Sequence, residues 1–383
     1  MHSDPSGTSG ISVGVLTYDY DPPIGGLGVL AQTYVRALKS LYPSSGFTVI
    51  SPSKRADDRG SIFGRFRWRR SGGCPLFSLS LLFTLPSIVR RHRLDVLHVH
   101  AGSGGVFLLR RPPCPVVVTS HHTYRQESEM VFDRSPLKRW WKRCMSFLEK
   151  RTYMLADLVC CVSADTRAEL IGHYGIPESK VIVVENPVPT DTLERFRTEP
   201  KDPATILFVG RLEERKGIML LLKAFHILSK EFPDLRLRLI GRNLIGERLD
   251  GFLGSHDLEN RVTSLGHVHD PFRFREMARA TVLVVPSRLE GFGLVAAEGM
   301  MLGSCVIASD APGLRSIVED GKTGRSFRSG DVQDFTRVLR EVLADPAERQ
   351  RLALGGRQRA EKRFSVQERT EELMNALMSV TIH

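Results

Sequence analysis

Short apolar runs rich in Val, Ile and Leu recur along the whole chain, and each is followed by a loop and a helix-length segment. A continuous apolar run is typical of a strand buried on both faces, as in a parallel sheet. Alternation of such strands with helices predicts an α/β fold with doubly wound parallel sheets. The predicted strands are residues 11–18, 47–52, 95–100, 115–121, 158–163 and 181–186, then 204–210, 235–241, 262–266, 282–287, 305–310 and 324–327.

The series of strands and helices occurs twice, which predicts two Rossmann-like domains facing a central cleft. A chain of 383 residues is long enough to bury both cores. A proline-rich stretch between the two series is typical of a linker. The predicted boundaries are a disordered tail 1–10, an N-terminal domain 11–187, a linker 188–203, a C-terminal domain 204–365 and a C-terminal helix 366–383 that returns to the N-terminal domain.

Composition and charge narrow the class of protein. With 42% hydrophobic and 25% charged residues, the chain is typical of a folded soluble protein. The net charge of +11 lies mainly in residues 1–190, which hold 24 Lys and Arg against 15 Asp and Glu. The apolar stretch 76–89 is shorter than the ~20 residues of a membrane-spanning helix. The first residues lack the order of a secretory signal, and the six cysteines lack zinc or disulfide spacing. We therefore expect a cytoplasmic protein.

The loop after the first predicted strand contains three glycines in the sequence GGLG, residues 25–28. Glycines allow close approach of the backbone, and the following helix offers free N–H groups to a phosphate. The pattern also matches the relaxed dinucleotide fingerprint, but the second strand ends in residues 50–52, Ile-Ser-Pro, without the acidic residue that binds the ribose. A dehydrogenase is therefore disfavoured. Asp19 and Asp21 precede two prolines, which favours a turn over a metal site.

Histidines cluster at the ends of predicted strands in the first half. His98 and His100 share one face of a strand, where metal binding and packing against the neighbouring strand are both open, with packing favoured. His121 ends the fourth strand, at the edge of the sheet where parallel α/β proteins bind ligands. We expect His121 to form a hydrogen bond with a bound sugar or phosphate.

The second half contains two signals at strand ends. Arg211 and Lys216 follow a predicted strand and precede a helix, as a diphosphate site requires, with ordinary surface charge as the alternative. In residues 287–298, SRLEGFGLVAAE, Glu290 ends an apolar strand and Glu298 follows about two helical turns later. The neighbours of Glu298 are apolar, which disfavours a solvated position. Both carboxylates are good acceptors for the hydroxyl groups of a sugar and a ribose.

Together these motifs resemble those of glycosyltransferase family 4, a large family of retaining enzymes whose fold is called GT-B. The resemblance covers nearly the whole chain, and the motifs occur in the family's order. They are GGLG after the first strand, Thr-x-His ending in His121, ADLVCCVS, FVGRLEERKG and EGFGLVAAE.

The resemblance implies a donor, a nucleoside-diphosphate sugar, held mainly by the C-terminal domain, with the acceptor on the side of the N-terminal domain. The catalytic candidates are Glu290 near the transferred sugar, His121 in contact with it, and Arg211 and Lys216 on the phosphates. Glu298 would bind the ribose, and residues 267–268 would lie against the base. The substrate-binding candidates are Gly26, Leu27, Gly28, Gly210, Gly241, His267, Val268, Gly291, Phe292, Gly293, Leu294 and Glu298, with the DAPG loop 310–313 beside them.

The reaction that the resemblance implies is retaining transfer of the sugar to a hydroxyl acceptor, either lipid-linked or a growing glycan. UDP-sugars are favoured as donor, and GDP-mannose comes next. Family members generally need no metal, and neither a metal nor another cofactor is expected here. The alternatives are a sugar-nucleotide epimerase, a phosphorylase of the same fold, and an inactive sugar-nucleotide-binding partner subunit.

Basic residues interleaved with aromatic ones suggest a surface partner for the first half. They occur in Arg65–Arg70 and in Lys138–Arg143, the latter with the sequence KRWWKR. Such segments favour an anionic membrane surface, with a plain solvated basic face as the alternative. No recognised nucleic-acid motif accompanies them, so nucleic acid is not expected as a partner. The protein would then be peripheral on the inner face of the membrane.

Overall fold

The computed structural model describes residues 10–21, 23, 25–52, 73–102, 104–129 and 136–381. The chain divides into two compact units. Unit 1 comprises Met1–Pro187 together with Val366–His383, and unit 2 comprises Val188–Ser365. Most of the predicted tail and the basic segment Arg65–Arg70 lie outside the described residues.

Unit 1 is built on a sheet of six strands, each overlapping a segment that the sequence predicts. The strands are β1 (Ser12–Leu16), β2 (Gly46–Ile50), β3 (Val96–Ala101), β4 (Val116–Ser120), β5 (Leu158–Cys161) and β6 (Val181–Val183). Their order in the sheet is β2-β1-β3-β4-β5-β6, and every pairing is parallel. The prediction of a doubly wound parallel sheet is confirmed for this unit.

Helices of unit 1 pack on both faces of this sheet. They are α1 (Gly26–Leu41), α2 (Gly73–Arg91), α3 (Tyr124–Glu129), α4 (Pro136–Leu155), α5 (Ala164–Gly172) and α13 (Val366–Ser379). Because successive strand residues point to opposite faces, the strands contribute to two cores. One core joins α2, α4 and α5 to the sheet, and the other joins α1 and α13 to the opposite face. The last helix therefore belongs to the core of unit 1.

Unit 2 repeats the architecture with a second parallel sheet. Its strands are β7 (Thr205–Val209), β8 (Arg236–Ile240), β9 (Val262–Gly266), β10 (Val282–Val285), β11 (Cys305–Ser309) and β12 (Arg325–Phe327). Their order is β12-β11-β10-β7-β8-β9, again with parallel pairing throughout. The flanking helices are α6 (Thr190–Glu194), α7 (Ile218–Glu231), α8 (Arg248–Ser255), α9 (Asp270–Arg279), α10 (Leu294–Met301), α11 (Val332–Ala344) and α12 (Pro346–Arg363).

The strand order of unit 2 reverses between β7 and β10. From β7 the chain winds through β8 to β9 on one side, and then returns to place β10 on the other side of β7. The loops at the carboxyl ends of these two neighbouring strands consequently diverge to opposite faces. Ligands of open α/β sheets bind in the crevice at such a topological switch point. A ligand site is therefore expected at this edge of the sheet.

Residues 188–203, which the sequence assigns to a linker, pack within unit 2. Val188 and Leu193 are fully buried, and the N–H of Val188 donates to the carbonyl oxygen of Phe364 at 2.9 Å. Asp202 bonds Arg279 at 2.7 Å and also Arg238. Helix α6 begins directly after Pro189, and the apolar residues Val188 and Leu193 are buried, so the segment packs as part of unit 2.

None of the described helices combines the length and the apolar character that crossing a membrane requires.

Candidate functional site

The switch point of unit 2 brings together two charged side chains from neighbouring strand ends. Lys216 lies in a single 3₁₀ turn after β7, and Glu290 lies in the loop after β10. Because β7 and β10 pair in parallel, their carboxyl ends meet at one edge. The Nζ atom of Lys216 donates to Oε1 of Glu290 at 2.5 Å, and both side chains are less than one-fifth exposed. Lys216 and Glu290, two of the three catalytic candidates of this unit, are therefore direct partners.

Other groups hold this pair in place. The Ser287 hydroxyl donates to Oε1 of Glu290 at 2.8 Å. The guanidinium of Arg215 donates to the carbonyl oxygen of Leu289 at 3.1 Å, and the N–H of Arg288 donates back to the carbonyl of Arg215 at 2.8 Å. Arg215 thus bonds the second loop at two points directly before the ion pair, and these bonds fix the relative positions of the two loops.

Charge at this site favours the ionised carboxylate. Burial raises the pKa of Glu290, but the positive charges of Lys216 and Arg215 outweigh it and hold this pKa below its ordinary value. Burial lowers the pKa of Lys216, and the charge of Arg215 adds to this effect while Glu290 opposes it. Glu290 is therefore an acceptor, not a proton donor, at neutral pH.

Arg211 lies at the outer side of the same loop. Its guanidinium is about half exposed and pairs with Glu213 at 3.1 Å, and Arg215 pairs with the same carboxylate at 3.1 Å. Two arginines and a lysine thus surround the end of β7. An exposed guanidinium held beside buried cations is available to an anionic ligand.

Two helices begin at this switch point. Helix α7 starts after Gly217, whose φ of 75° lies in the left-handed region and whose Cα faces the carbonyl oxygen of Pro286 so closely that an added Cβ would lie 2.0 Å from it. Helix α10 starts after Gly293, at the end of the Gly291–Leu294 segment. The first N–H groups of a helix have no acceptor within the helix, so both helix starts offer donors to an anion.

The DAPG loop packs directly under Glu290. The N–H of Glu290 donates to the carbonyl oxygen of Pro312 at 3.3 Å. A Cβ at Gly313 would lie 2.4 Å from the carbonyl oxygen of Glu290. This third loop, which follows β11, therefore supports the backbone of the Glu290 loop. Gly313 is required because any side chain there would collide with the carbonyl oxygen of Glu290.

Glu298 is 1% exposed, which confirms the expectation that it does not lie on a solvated face. It lies on α10, and its carboxylate forms a two-pronged ion pair with Arg273 of α9, including Nη2 to Oε1 at 3.2 Å. Burial lowers the pKa of Arg273, but Glu298 and Asp270 outweigh it and raise this pKa. The assignment of Glu298 to a ribose stays a prediction.

The glycine candidates after β7 and β8 touch one another. The N–H of Gly210 donates to the carbonyl of Ile240 at 2.8 Å, and the N–H of Gly241 donates to Gly266 at 2.7 Å. A Cβ at Gly241 would lie 1.9 Å from the carbonyl oxygen of Gly210. Three strand ends thus form a continuous shelf of backbone next to the switch point. His267 is exposed and Val268 partly buried at the far end of this shelf, after β9.

In unit 1 the GGLG loop is fixed by Asp19. Its carboxylate accepts a hydrogen bond from the N–H of Gly25 at 2.9 Å, directly before α1. A Cβ at Gly28 would lie 2.6 Å from the Asp19 carboxyl carbon, whereas one at Gly26 would meet nothing within 4 Å. Asp19 therefore has a structural role in the turn. Leu27 lies in the first turn of α1 and is partly buried.

His121 belongs to a buried row of imidazoles at the ends of β3 and β4. Nε2 of His121 lies 3.1 Å from Nδ1 of His100, and Nε2 of His98 lies 2.8 Å from the Thr119 hydroxyl. The packing interpretation of His98 is confirmed. Burial lowers the pKa of His121 to about 3 and that of His98 to about 4. His121 is consequently neutral at physiological pH.

A buried carboxyl group, that of Glu149, binds the backbone at the start of α3, three residues after His121. Glu149 of α4 accepts hydrogen bonds from the N–H of Tyr124 at 3.0 Å, from the Tyr153 hydroxyl at 3.1 Å and from the Tyr174 hydroxyl. Burial raises the pKa of Glu149 to about 8 in spite of these donors. Glu149 is thus a structural support of the chain that directly follows His121.

Sequence reasoning missed several partners of the predicted residues. Arg215 and Ser287 lie inside the motifs that were singled out, and their charge and hydroxyl could have marked them. Arg273 and His100 could not be paired with Glu298 and His121, because their contacts cross between elements. Among the described residues, no group of three His, Cys, Asp or Glu side chains is arranged to hold a metal ion.

The two parallel six-stranded sheets with flanking helices define the GT-B fold of glycosyltransferases. A solved structure of sucrose-phosphate synthase from Thermosynechococcus elongatus matches with a TM-score of 0.77 and 20% identity, over 96% of this chain and 98% of that one. A structure of HepE from Anabaena in complex with UDP and glucose matches with a TM-score of 0.70 and 18% identity, over 96% of this chain and 100% of that one.

Two sequence models of glycosyltransferase families match this chain. "Glycosyltransferase Family 4" matches residues 24–192, and "Glycosyl transferases group 1" matches residues 190–359. The chain belongs to glycosyltransferase family 4. D-inositol 3-phosphate glycosyltransferase from Thermobifida fusca is 30% identical over 68% of this chain and 64% of its own length. The first such relatives are matched over 50% to 64% of their length.

Proposed function

We propose that this protein is a retaining glycosyltransferase that moves a sugar from a nucleoside-diphosphate sugar to a hydroxyl acceptor. The observation that supports it most is the Lys216–Glu290 pair at the switch point of unit 2, between two helix starts. A bound diphosphate requires cations and N–H donors. A bound sugar requires a group in a fixed position that accepts hydrogen bonds from its hydroxyls. This site offers both within one pair of loops.

The diphosphate would be bound by the basic groups after β7. Lys216 supplies a buried positive charge, and Arg211 supplies an exposed one. Negative charge develops on the departing nucleoside diphosphate as the bond to the sugar breaks. Cations and helix N-termini fixed around that position stabilise the transition state more than the ground state. Stabilisation of the leaving group is therefore the main catalytic contribution of unit 2.

Glu290 would orient the sugar. Its pKa is held below the ordinary value, so the carboxylate accepts hydrogen bonds from sugar hydroxyls. One of its oxygens is already engaged by Lys216 and Ser287, which makes it a poor nucleophile. We therefore assign retention to front-face attack, in which the acceptor hydroxyl passes its proton to the leaving phosphate as the new glycosidic bond forms. The bond from the anomeric carbon to the phosphate oxygen breaks in the same step.

The nucleoside would extend along the backbone shelf of Gly210, Gly241 and Gly266 towards His267 and Val268. A shelf without side chains lets a flat base and a ribose approach the strand ends closely. Glu298 retains acceptor capacity beyond its bonds to Arg273, because a carboxylate offers about four lone-pair positions. It is proposed as the ribose partner. UDP is the favoured nucleotide, supported by the UDP and glucose complex of the similarly folded HepE.

In unit 1, His121 and the loop Gly26–Gly28 lie at the carboxyl edge of their own sheet. A neutral imidazole can donate through one nitrogen while the other bonds His100. We propose that His121 forms such a bond with the sugar, and that Gly26, Leu27 and Gly28 contact substrate through backbone. Lys216 and Arg211 supply the charge that a metal ion supplies elsewhere, so we propose a reaction without metal or other cofactor.

The test is a donor panel of UDP-, GDP- and ADP-sugars with and without EDTA, read by thermal shift and by release of the free nucleotide. A specific donor raises the melting temperature as mass action requires. Nuclear magnetic resonance of the product then gives the anomeric configuration. An inverted product contradicts retention. Epimerised donor without transfer, or binding without turnover, favours the epimerase or the inactive partner subunit instead.

A further inference from the structure

Helix α4 exposes an apolar stripe to solvent. Leu137, Trp140, Phe147 and Met154 are 72%, 60%, 70% and 52% exposed, and Trp141 is 47% exposed. Residues spaced by three, four or seven positions lie on one face of a helix, so these side chains form a single row along α4. Large apolar side chains exposed singly are ordinary, but a contiguous row marks an interaction surface.

Helix α2 exposes a second stripe. Leu76, Leu79 and Phe83 are 55%, 49% and 80% exposed, with the same helical spacing. The opposite side of α2 is buried through Phe77, Leu81 and other members of the same core. The exposed row is therefore additional to what folding of this helix requires.

The two stripes face the same way. Helices α2 and α4 pack on one face of the first sheet, within one core. The loop between β3 and β4 joins them, since the N–H of Phe107 donates to the Ser78 hydroxyl of α2 and the N–H of Leu108 donates to the Thr152 hydroxyl of α4, each at 3.0 Å. The outer sides of both helices consequently point away from the same sheet face. We call these outer sides the α2–α4 surface.

The charge of the α2–α4 surface has one sign. The sole acidic residue of α4, Glu149, is buried, and the sequence of α2 contains none. Arg110 is exposed on the loop between β3 and β4, whereas its neighbour Arg111 forms an ion pair with Asp157 at 2.5 Å. The exposed or partly exposed basic residues of α4 are Lys138, Arg139, Lys142, Arg143, Lys150 and Arg151.

We propose that the α2–α4 surface docks this protein on an anionic lipid bilayer, with both helices lying in the plane of the interface. Apolar side chains would enter the boundary between headgroups and acyl chains, with the tryptophans at headgroup level. The long basic side chains reach the lipid phosphates from the same helix. Amphipathic helices with basic polar sides bind anionic membranes by these two contributions together.

Other occupants fit less well. In a two-fold dimer this surface would pack against the same surface of a second copy. Arg139 and Arg143 of one copy would then face the basic residues of the other, and like charges would repel. Nucleic acid matches the charge, and its bases can stack on the aromatic side chains, but it would leave the exposed aliphatic side chains of Leu76, Leu137 and Met154 in water. A bilayer satisfies the charge and the apolar rows at once.

This docking goes beyond the proposed transfer reaction and does not depend on it. If both hold, the acceptor is a molecule that resides in the membrane, such as a hydroxyl on a lipid headgroup or lipid-linked glycan. The two ideas fail separately, because vesicle binding requires no donor and donor binding requires no vesicle.

The test is flotation of the full chain with vesicles of phosphatidylcholine alone and of phosphatidylcholine mixed equally with phosphatidylglycerol. We expect binding to the anionic vesicles only, weakened by salt. The variant Trp140→Ser/Phe147→Ser and the variant Arg139→Glu/Arg143→Glu should each bind at least about tenfold more weakly. The matched controls are Leu354→Ser and Lys223→Glu/Lys362→Glu, exposed positions of unit 2 that should leave binding unchanged.

Circular dichroism and thermal unfolding show that each variant is folded. Wild-type protein that stays with neither vesicle overturns the proposal. So does equal binding by the two α4 variants and their controls. A concentration-dependent dimer that Trp140→Ser/Phe147→Ser abolishes, without vesicle binding, assigns the surface to a second copy of the chain, and tight oligonucleotide binding without vesicle binding assigns it to nucleic acid. Each of these results also overturns membrane docking.

Discussion

Lys216 and Glu290 are 74 residues apart in the sequence, yet Nζ of the lysine lies 2.5 Å from Oε1 of the carboxylate. They meet because β7 and β10 are neighbours across the reversal of strand order. Neither side chain is isolated, since Ser287 and Arg215 hold the same loops. The ion pair is therefore a preformed part of the site, and removing one partner changes both the local charge and the position of the other.

Replacing Lys216 should reduce turnover. Lys216→Ala removes the buried cation proposed for the departing diphosphate, and we expect a loss of about 10²- to 10³-fold in kcat/KM. The measurement is steady-state release of nucleotide with the preferred donor. Lys223→Ala on α7 is the matched control, because Lys223 is exposed on the same helix that Lys216 precedes. Equal activity of the two variants would contradict the role given to Lys216.

The Arg273–Glu298 pair should behave as a buried ion pair. Arg273→Met leaves the almost fully buried carboxylate of Glu298 without its partner, and we expect about 3–5 kcal/mol less stability in urea unfolding. Glu298→Gln alone should lower donor affinity if this carboxylate binds the ribose. In the double variant Arg273→Met/Glu298→Gln the loss of stability should be smaller than the sum of the single losses. Additive losses would show that the two groups act independently.

Gly241 should tolerate no side chain. Gly241→Ala places a methyl group 1.9 Å from the carbonyl oxygen of Gly210, at a φ of 143°, so we expect at least about 2 kcal/mol of destabilisation. Gly251→Ala is the control, since nothing lies within 4 Å of a Cβ there and the residue lies inside α8. Thermal unfolding compares them. A stable Gly241→Ala variant would mean that the backbone shelf is looser than the structure shows.

Glu149 should make stability fall as pH rises. Its pKa is about 8 in the folded protein against an ordinary value of 4.5. Between these values the folded state binds more protons than the unfolded state, so stability is complete below about pH 4.5 and is lost towards pH 8. The slope is at most about 1.4 kcal/mol per pH unit. Glu149→Gln, which resembles the protonated acid, should gain stability relative to wild type as pH rises from 6 to 8.

The measurement is urea unfolding of wild type and Glu149→Gln across that pH range, with Glu178→Gln as the control because its side chain is 72% exposed. The informative quantity is the difference in unfolding free energy between wild type and variant. The buried histidines make stability rise with pH, but they contribute equally to both proteins and cancel in this difference. A difference that is constant with pH would mean that Glu149 is ionised in the folded state.

The positions of the strands follow from the sequence, because burial on both faces requires a continuous apolar run and needs no distant partner. All twelve predicted strand segments are strands in the structure. The same holds for the motif positions, since a loop after a parallel strand always lies at the carboxyl edge. Arg211, Lys216 and Glu290 could be singled out on this ground alone.

The tertiary structure determines which of these residues are in contact. Strand order determines that Lys216 meets Glu290, and helix packing determines that Arg273 meets Glu298, neither of which is written in local periodicity. Residues 188–203 look like a linker by their prolines, but their few apolar side chains pack into unit 2. The basic stretch of α4 was visible in the sequence, whereas its alignment with the apolar row of α2 required both helices to pack on one sheet. Local patterns determine where an element forms, and long-range packing determines its neighbours, because contact energies depend on distances that the chain order does not contain.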